Sequence, residues 1–169
     1  MSAAVPVRIQ LSRRRGFRLV EASRALNGLE VVRVCRPGKW GNPFVAHDWQ
    51  AAFRAVGLGF TGDRAGRHAA AVELYRLWLT AEWKVVKRDE RDAVEREIMT
   101  VRPHMRSEDL LAAIGDLRGR NLACWCRPGE ACHADVLLAL ANPDLGLPAV
   151  PPQLDAARRQ LADALEARR

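Results

Sequence analysis

Nowhere in the 169 residues do apolar side chains run together for the roughly 20 positions a membrane-spanning helix needs. A helical membrane protein is therefore excluded, and no membrane partner is expected. The opening Met1-Ser2-Ala3-Ala4-Val5-Pro6 lacks a charged segment followed by an apolar one, so no signal peptide is expected and the chain reads as cytoplasmic. Internal repeats are absent. Cysteine is scarce, with only Cys35, Cys124, Cys126 and Cys132. Four cysteines, three of them clustered, point to metal binding or thiol chemistry ahead of disulfides in a reducing compartment. Cys124 and Cys126 are too close to pair with each other along one strand.

What is present suits one domain with some decoration. Hydrophobic residues make up 49% of the chain, enough for a core. The formal charge is +7 and the pI about 10.0. That excess favours an anionic small molecule or nucleic acid as partner. The plainer reading is a solvated, arginine-rich surface that resists aggregation. Nothing in the pattern specifies an oligomeric state.

Val7-Arg8-Ile9-Gln10-Leu11 alternates as a strand does, and basic Ser12–Gly16 follows as a turn. Val31–Val34 is a second β-branched run, ended by Cys35-Arg36-Pro37-Gly38. Gly57–Gly66 reads as irregular. A helix is expected from about Arg67 to Trp83, with Val72, Tyr75, Trp78 and Leu79 on one face. The charged stretch 84–106 suggests a solvent-facing helical insertion, with a sparse stripe through Val86, Ala93, Val94, Ile98 and Val101. Ser107 is a candidate N-cap for a helix to about Leu117. Asn121–Cys126 is the clearest strand, and a helix follows from Cys132 to Ala141. The interleaving predicts an α/β fold: a single three-layer domain with a small parallel or mixed sheet flanked by helices over residues 1–142. Residues 143–169 read as a Pro-rich linker and a short amphipathic helix, with Leu154, Ala157, Leu161 and Leu165 on one side.

The chemistry is concentrated between Cys124 and Asp135. Strand alternation puts Leu122, Cys124 and Cys126 on one face, and Cys132 and His133 arrive at the next helix start. The amides and dipole of a helix N-terminus favour a thiolate at Cys132. Three readings remain open. Cys132 or Cys126 could be a nucleophile, with His133 as acid or base and Asp135 orienting the ring or capping the helix. Cys124, Cys126, Cys132 and His133 could instead hold zinc or an iron–sulfur cluster, with Cys35 joining if its strand is a neighbour. The spacing Cys-x-Cys-x5-Cys-His matches no common zinc knuckle, and no Cys-x2-Cys pair is present. Finally, Cys124 could be a small buried hydrophobe and Cys132 a helix-start residue.

Cys35–Phe44 is a second dense signal. Arg36 and Lys39 can meet an anion, Trp40 can stack on a base, Gly41 permits close backbone approach and Asn42 reads donor and acceptor edges. Equally, Trp40 and Phe44 can anchor a tight turn in the core while Asn42 and Pro43 shape it. A ligand between the two loops would meet Arg36, Lys39, Trp40, Gly41 and Asn42 from one side and Cys126 and Arg127 from the other.

Lys39-Trp40-Gly41-Asn42-Pro43-Phe44, Leu122-Ala123-Cys124-Trp125-Cys126 and Cys132-His133-Ala134-Asp135-Val136-Leu137-Leu138 together resemble the bacterial and phage family catalogued as domain of unknown function 4326. The resemblance covers about residues 7–142 and brings no established activity. It marks Arg36, Lys39, Trp40, Asn42, Cys124, Cys126, Cys132, His133 and Asp135. Its occurrence in phages suggests a nucleotide- or nucleic-acid-related role, with group transfer or hydrolysis at Cys132 and His133 if the protein is an enzyme. A zinc-stabilised or iron–sulfur-stabilised binding module and a basic nucleic-acid-docking protein are the alternatives.

Overall fold

A computed structural model describes residues 4–48, 50–85, 94–99 and 106–167. Its elements run β1 (Arg8–Gln10), α1 (Leu19–Asn27), β2 (Val31–Arg33), α2 (Ala51–Gly57), α3 (Arg64–Thr80), α4 (94–99), α5 (Ser107–Ala112), β3 (Asn121–Cys124), α6 (His133–Ala141) and α7 (Pro152–Glu166). The three strands pair in parallel in the order β1-β3-β2, so the last strand in sequence is the central one. Helices flank this small sheet, and the domain is α/β as expected.

Register divides the sheet into two faces. Arg8 pairs with Leu122 and Gln10 with Cys124, while Ile9 pairs with Ala123. Leu122 and Cys124 join the main core with Leu137 of α6 and Tyr75 of α3. Ile9 and Ala123, also buried, point the other way. The ladder continues past the strand ends, with Leu11 N–H donating to Cys124 O (2.8 Å) and Val34 N–H to Ala123 O (3.0 Å). Both outer strands therefore finish level with Cys124, at the carboxyl edge where ligands of open α/β sheets bind.

α3 is the central helix and is buried nearly all round. It starts at Arg64, one turn before the expected Arg67. Asp63 is the cap, accepting from Gly66 N–H at 2.8 Å. Gly66 is required there because a Cβ would lie 2.0 Å from Thr61 O. Glu73 and Arg76 are buried in α3 as a bidentate pair (2.8 and 3.0 Å), and Arg158 of α7 adds a third contact to Glu73 at 2.7 Å. That contact and buried Leu154 fix the first half of α7, while Leu165 lies exposed.

Other expectations shift. Ser107 is the first residue of α5 and not its cap, since Arg106 occupies that position with no side-chain cap bond. The strand at 121 ends at Cys124 instead of Cys126. α1 and α2 fall where no element is expected; they bury only Ser23 and the small Ala51 and Ala55, although α1 carries Leu19, Ala22 and Leu26 at helical spacing. Of the stretch 84–106, residues 86–93 and 100–105 lie outside the described residues, which removes Val86, Ala93 and Val101 from comparison. Within 94–99, Val94 and Ile98 are core residues, so that segment is packed and not merely solvent-facing.

The opposite edge of the sheet is clasped by Asn121, fully buried at the start of β3. Its Nδ2 donates to Ser23 Oγ (2.8 Å) and Asn27 Oδ1 (2.7 Å), while its Oδ1 accepts from Val7 N–H (2.9 Å) and Asn27 Nδ2 (3.0 Å). One side chain thus joins β3, α1 and the entry to β1. Asn121→Ala leaves several buried partners unsatisfied and is expected to lower the unfolding free energy by about 2–3 kcal/mol. Urea denaturation measures this, and a loss under about 0.5 kcal/mol would contradict the clasp.

Candidate metal centre

Four ligand atoms converge just beyond the carboxyl end of β3. The sulfurs of Cys124, Cys126 and Cys132 and a ring nitrogen of His133 all lie within 4.8 Å of one another. β3 delivers Cys124, and Cys126 follows two residues later with its sulfur 3.6 Å from that of Cys124. The chain then turns tightly. Glu130 N–H donates to Arg127 O (3.2 Å), Glu130 Oε2 accepts from Arg127 N–H (3.0 Å), and Gly129 takes a positive φ of 83°. This turn returns the backbone to Cys132, whose sulfur caps α6 by accepting from Ala134 N–H at 3.4 Å.

His133 completes the set. Its Nε2 lies 2.7 Å from Val34 O, at the end of β2. A carbonyl can only accept, so Nε2 donates, and in the neutral ring Nδ1 is then the lone-pair nitrogen. Nδ1 stands 3.9 Å from Cys124 Sγ. Tyr75 holds the ring edge-on at 5.4 Å. For a tetrahedral zinc ion, bond lengths of about 2.3 Å to sulfur and 2.0–2.1 Å to nitrogen give edges of roughly 3.8 and 3.6 Å. The observed 3.6 and 3.9 Å separations match that scale. The space suits one ion, not the multi-iron core of an iron–sulfur cluster.

The thiols are strongly interdependent. Hydrogen bonds from Cys126 and then Cys132 hold the Cys124 thiol far below the usual range. The bond to Cys124 pushes Cys126 up to about 12, and bonds to Cys124 and Cys126 push Cys132 upward. The three thiols therefore lose their protons as one set, not as independent groups. Cys132 is fully buried and does not line the adjoining cavity, so it is poorly placed as a nucleophile.

Asp135 does not orient His133. It pairs instead with Arg8 of β1, Nε to Oδ1 at 3.2 Å. Burial opposes the Arg8 charge, but neighbouring Cys132, Asp135 and Cys126 outweigh it and raise its pKa. Burial pushes the Asp135 carboxyl up against the pull of Arg8. Arg8 Nη1 is buried without a hydrogen-bond partner. The sequence offered no signal for Arg8 as a neighbour of the cluster, because only the β1–β3 pairing brings it there.

A cavity of about 270 Å3 lies between the two loops. Arg36 and Asn42 line it from one side, Trp125 and Cys126 from the other, with His47 and His68 between. Cys35 also lines it but stands outside the four converging ligands. The rest of the 36–44 loop is structural. Trp40 is only 6% exposed, its carbonyl accepting from Tyr75 Oη at 3.0 Å, so it offers no open face for stacking. Lys39 reaches Asp116 (3.6 Å) and lies over the Trp40 ring. Asn42 donates to Ala71 O and accepts from Phe44 N–H, both at 2.9 Å, so its amide is already engaged. Arg127 is exposed and absent from the cavity wall. The aromatic at the cavity mouth is Trp125, which is 46% exposed and has Arg13 stacked 5.2 Å above its ring. Strand alternation already placed Trp125 opposite Cys124 and Cys126, but not at a cavity.

Gly41 serves packing. A Cβ there would lie 2.7 Å from Arg36 Cγ and 2.8 Å from Arg36 N. Because backbone is among the atoms struck, Gly41→Ala is expected to destabilise the domain by about 1–3 kcal/mol. A thermal melt indistinguishable from the parent's would contradict this.

A family model matches residues 19–143, from the start of α1 to just past α6. β1 and Arg8 precede that span, and α7 follows it. No curated protein and no solved structure matches the chain. The matched span takes in the 36–44 loop, the four converging ligands and α6, and the chain belongs to the family described as Domain of unknown function (DUF4326).

Proposed function

We propose that the protein is a zinc-braced binding module, with one ion held by Cys124, Cys126, Cys132 and His133. The observation that carries this reading is the His133 ring. Its N–H is spent on Val34 O, and its lone pair is turned toward three sulfurs. Outer hydrogen bonds of this kind orient metal-bound histidines. Three thiolates and one zinc ion sum to a single negative charge, and Arg8 stands beside it as counter-charge. With four protein ligands no position stays open, which fits a structural centre better than a hydrolytic one. The ion would tie the end of β3 to the start of α6 and, through His133, to the end of β2. Purified without chelator, the full chain is expected to carry about one zinc. Cys124→Ser and His133→Ala should each lose it and lower Tm by on the order of 10 °C. A metal-free chain whose melt is unmoved by chelator would remove the reading.

A second reading concerns what the braced loops hold, and the cavity between them favours it. Its size suits a nucleobase or mononucleotide and not a dinucleotide. Arg36, His47 and His68 on its wall suit an anionic group. A nucleoside monophosphate is expected to bind the zinc-loaded chain, with Arg36→Ala weakening it about tenfold. Calorimetric titration checks this, and equal affinity in the variant would contradict it.

A further inference from the structure

The geometry points to a single-stranded nucleic acid as the partner of this edge, with one base stacked on Trp125 and the neighbouring phosphates met by Arg13 and Arg36. The inference rests on the cavity reading and extends it beyond the cavity mouth.

Trp125 is the tryptophan left exposed among the described residues, whereas Trp40 and Trp78 are buried and Trp83 is half-covered. Exposing a large aromatic ring at the carboxyl edge of a buried strand has no packing return. Leu122, Ala123 and Cys124 just before it are 0–4% exposed. Its surroundings are cationic. Arg13 lies over the ring and opens the exposed run Arg13-Arg14-Arg15 in the β1–α1 connection. Arg36 lines the same cavity as Trp125, and exposed Arg127 follows two residues later. An aromatic platform interleaved with arginines is how sequence-tolerant proteins hold single strands, since every base has a π-face and every linkage a charge. The chain's net charge of +7 has the matching sign. A duplex would not satisfy this surface, because its bases are already stacked. A free mononucleotide would fill the cavity but leave Arg13 without a phosphate.

The test measures fluorescence anisotropy of a labelled single strand of about 12 nucleotides, as DNA and as RNA, on the zinc-loaded full chain. A nucleoside monophosphate and a duplex of the same length are the comparisons. One of the two single strands is expected to bind at least about tenfold more tightly than either. Trp125→Ala should weaken strand binding about tenfold or more, in line with the loss of a stacked base. Arg13→Ala should reduce the slope of log affinity against log salt by about 0.7 and leave mononucleotide binding unchanged. Zinc content measured on each variant separates a lost metal centre from a lost surface. Trp125-dependent strand binding without mononucleotide binding would support this surface while counting against the cavity reading. Strand binding no tighter than that of the mononucleotide or duplex, or unaltered in a zinc-loaded Trp125→Ala variant, overturns the inference.

Discussion

The carboxyl edge of the sheet depends on one hydrogen bond, from His133 Nε2 to Val34 O. In the neutral ring it decides which nitrogen keeps its proton, so that Nδ1 faces the sulfurs as a lone pair. It also spans two elements, joining the first residue of α6 to the end of β2. Nδ1 and the three sulfurs share one buried space, and a single cation there would satisfy all four donors together. The metal centre and the architecture are thus one problem, since the ligands come from a strand end, a turn and a helix start that the ion would lock in register.

Charge compensation follows from the same arrangement. Arg8 reaches the cluster because β1 pairs with β3 in a register that sets Arg8 beside Leu122. Asp135, one turn into α6, takes the Arg8 Nε and leaves Nη1 buried. A buried guanidinium nitrogen without a hydrogen-bond partner is costly unless negative charge lies nearby. Neighbouring Cys132 and Cys126 supply negative charge there, and Asp135 shares the Arg8 guanidinium with them.

Much of this was legible in the sequence, and the rest fails for identifiable reasons. Local chemistry reads well. The alternation through Cys124 and Cys126, the turn before Cys132 and the helix start at Cys132–His133 are short-range consequences of residue type and spacing. Burial is not short-range. The sequence offers Trp40 for stacking, but Trp40 is buried in the core and Trp125 is the tryptophan exposed at the cavity mouth. Partner choice is not local either. Asp135 is two residues from His133, yet its charge is claimed by Arg8 across the sheet. The helix dipole argues for a thiolate on Cys132, but three interacting sulfurs lose their protons as a set, which no single-residue argument describes. α1 was readable from Leu19, Ala22 and Leu26 at helical spacing and Gly28 at its end, whereas α2 buries only alanines and leaves little to count.

X-ray absorption at the zinc edge on the full-length protein in solution is the most direct measurement of the central claim. The account predicts about one zinc per chain with a first shell of three sulfurs at about 2.3 Å and one nitrogen at 2.0–2.1 Å. A first shell of oxygen and nitrogen alone, or a protein that takes up no zinc at all, would contradict it.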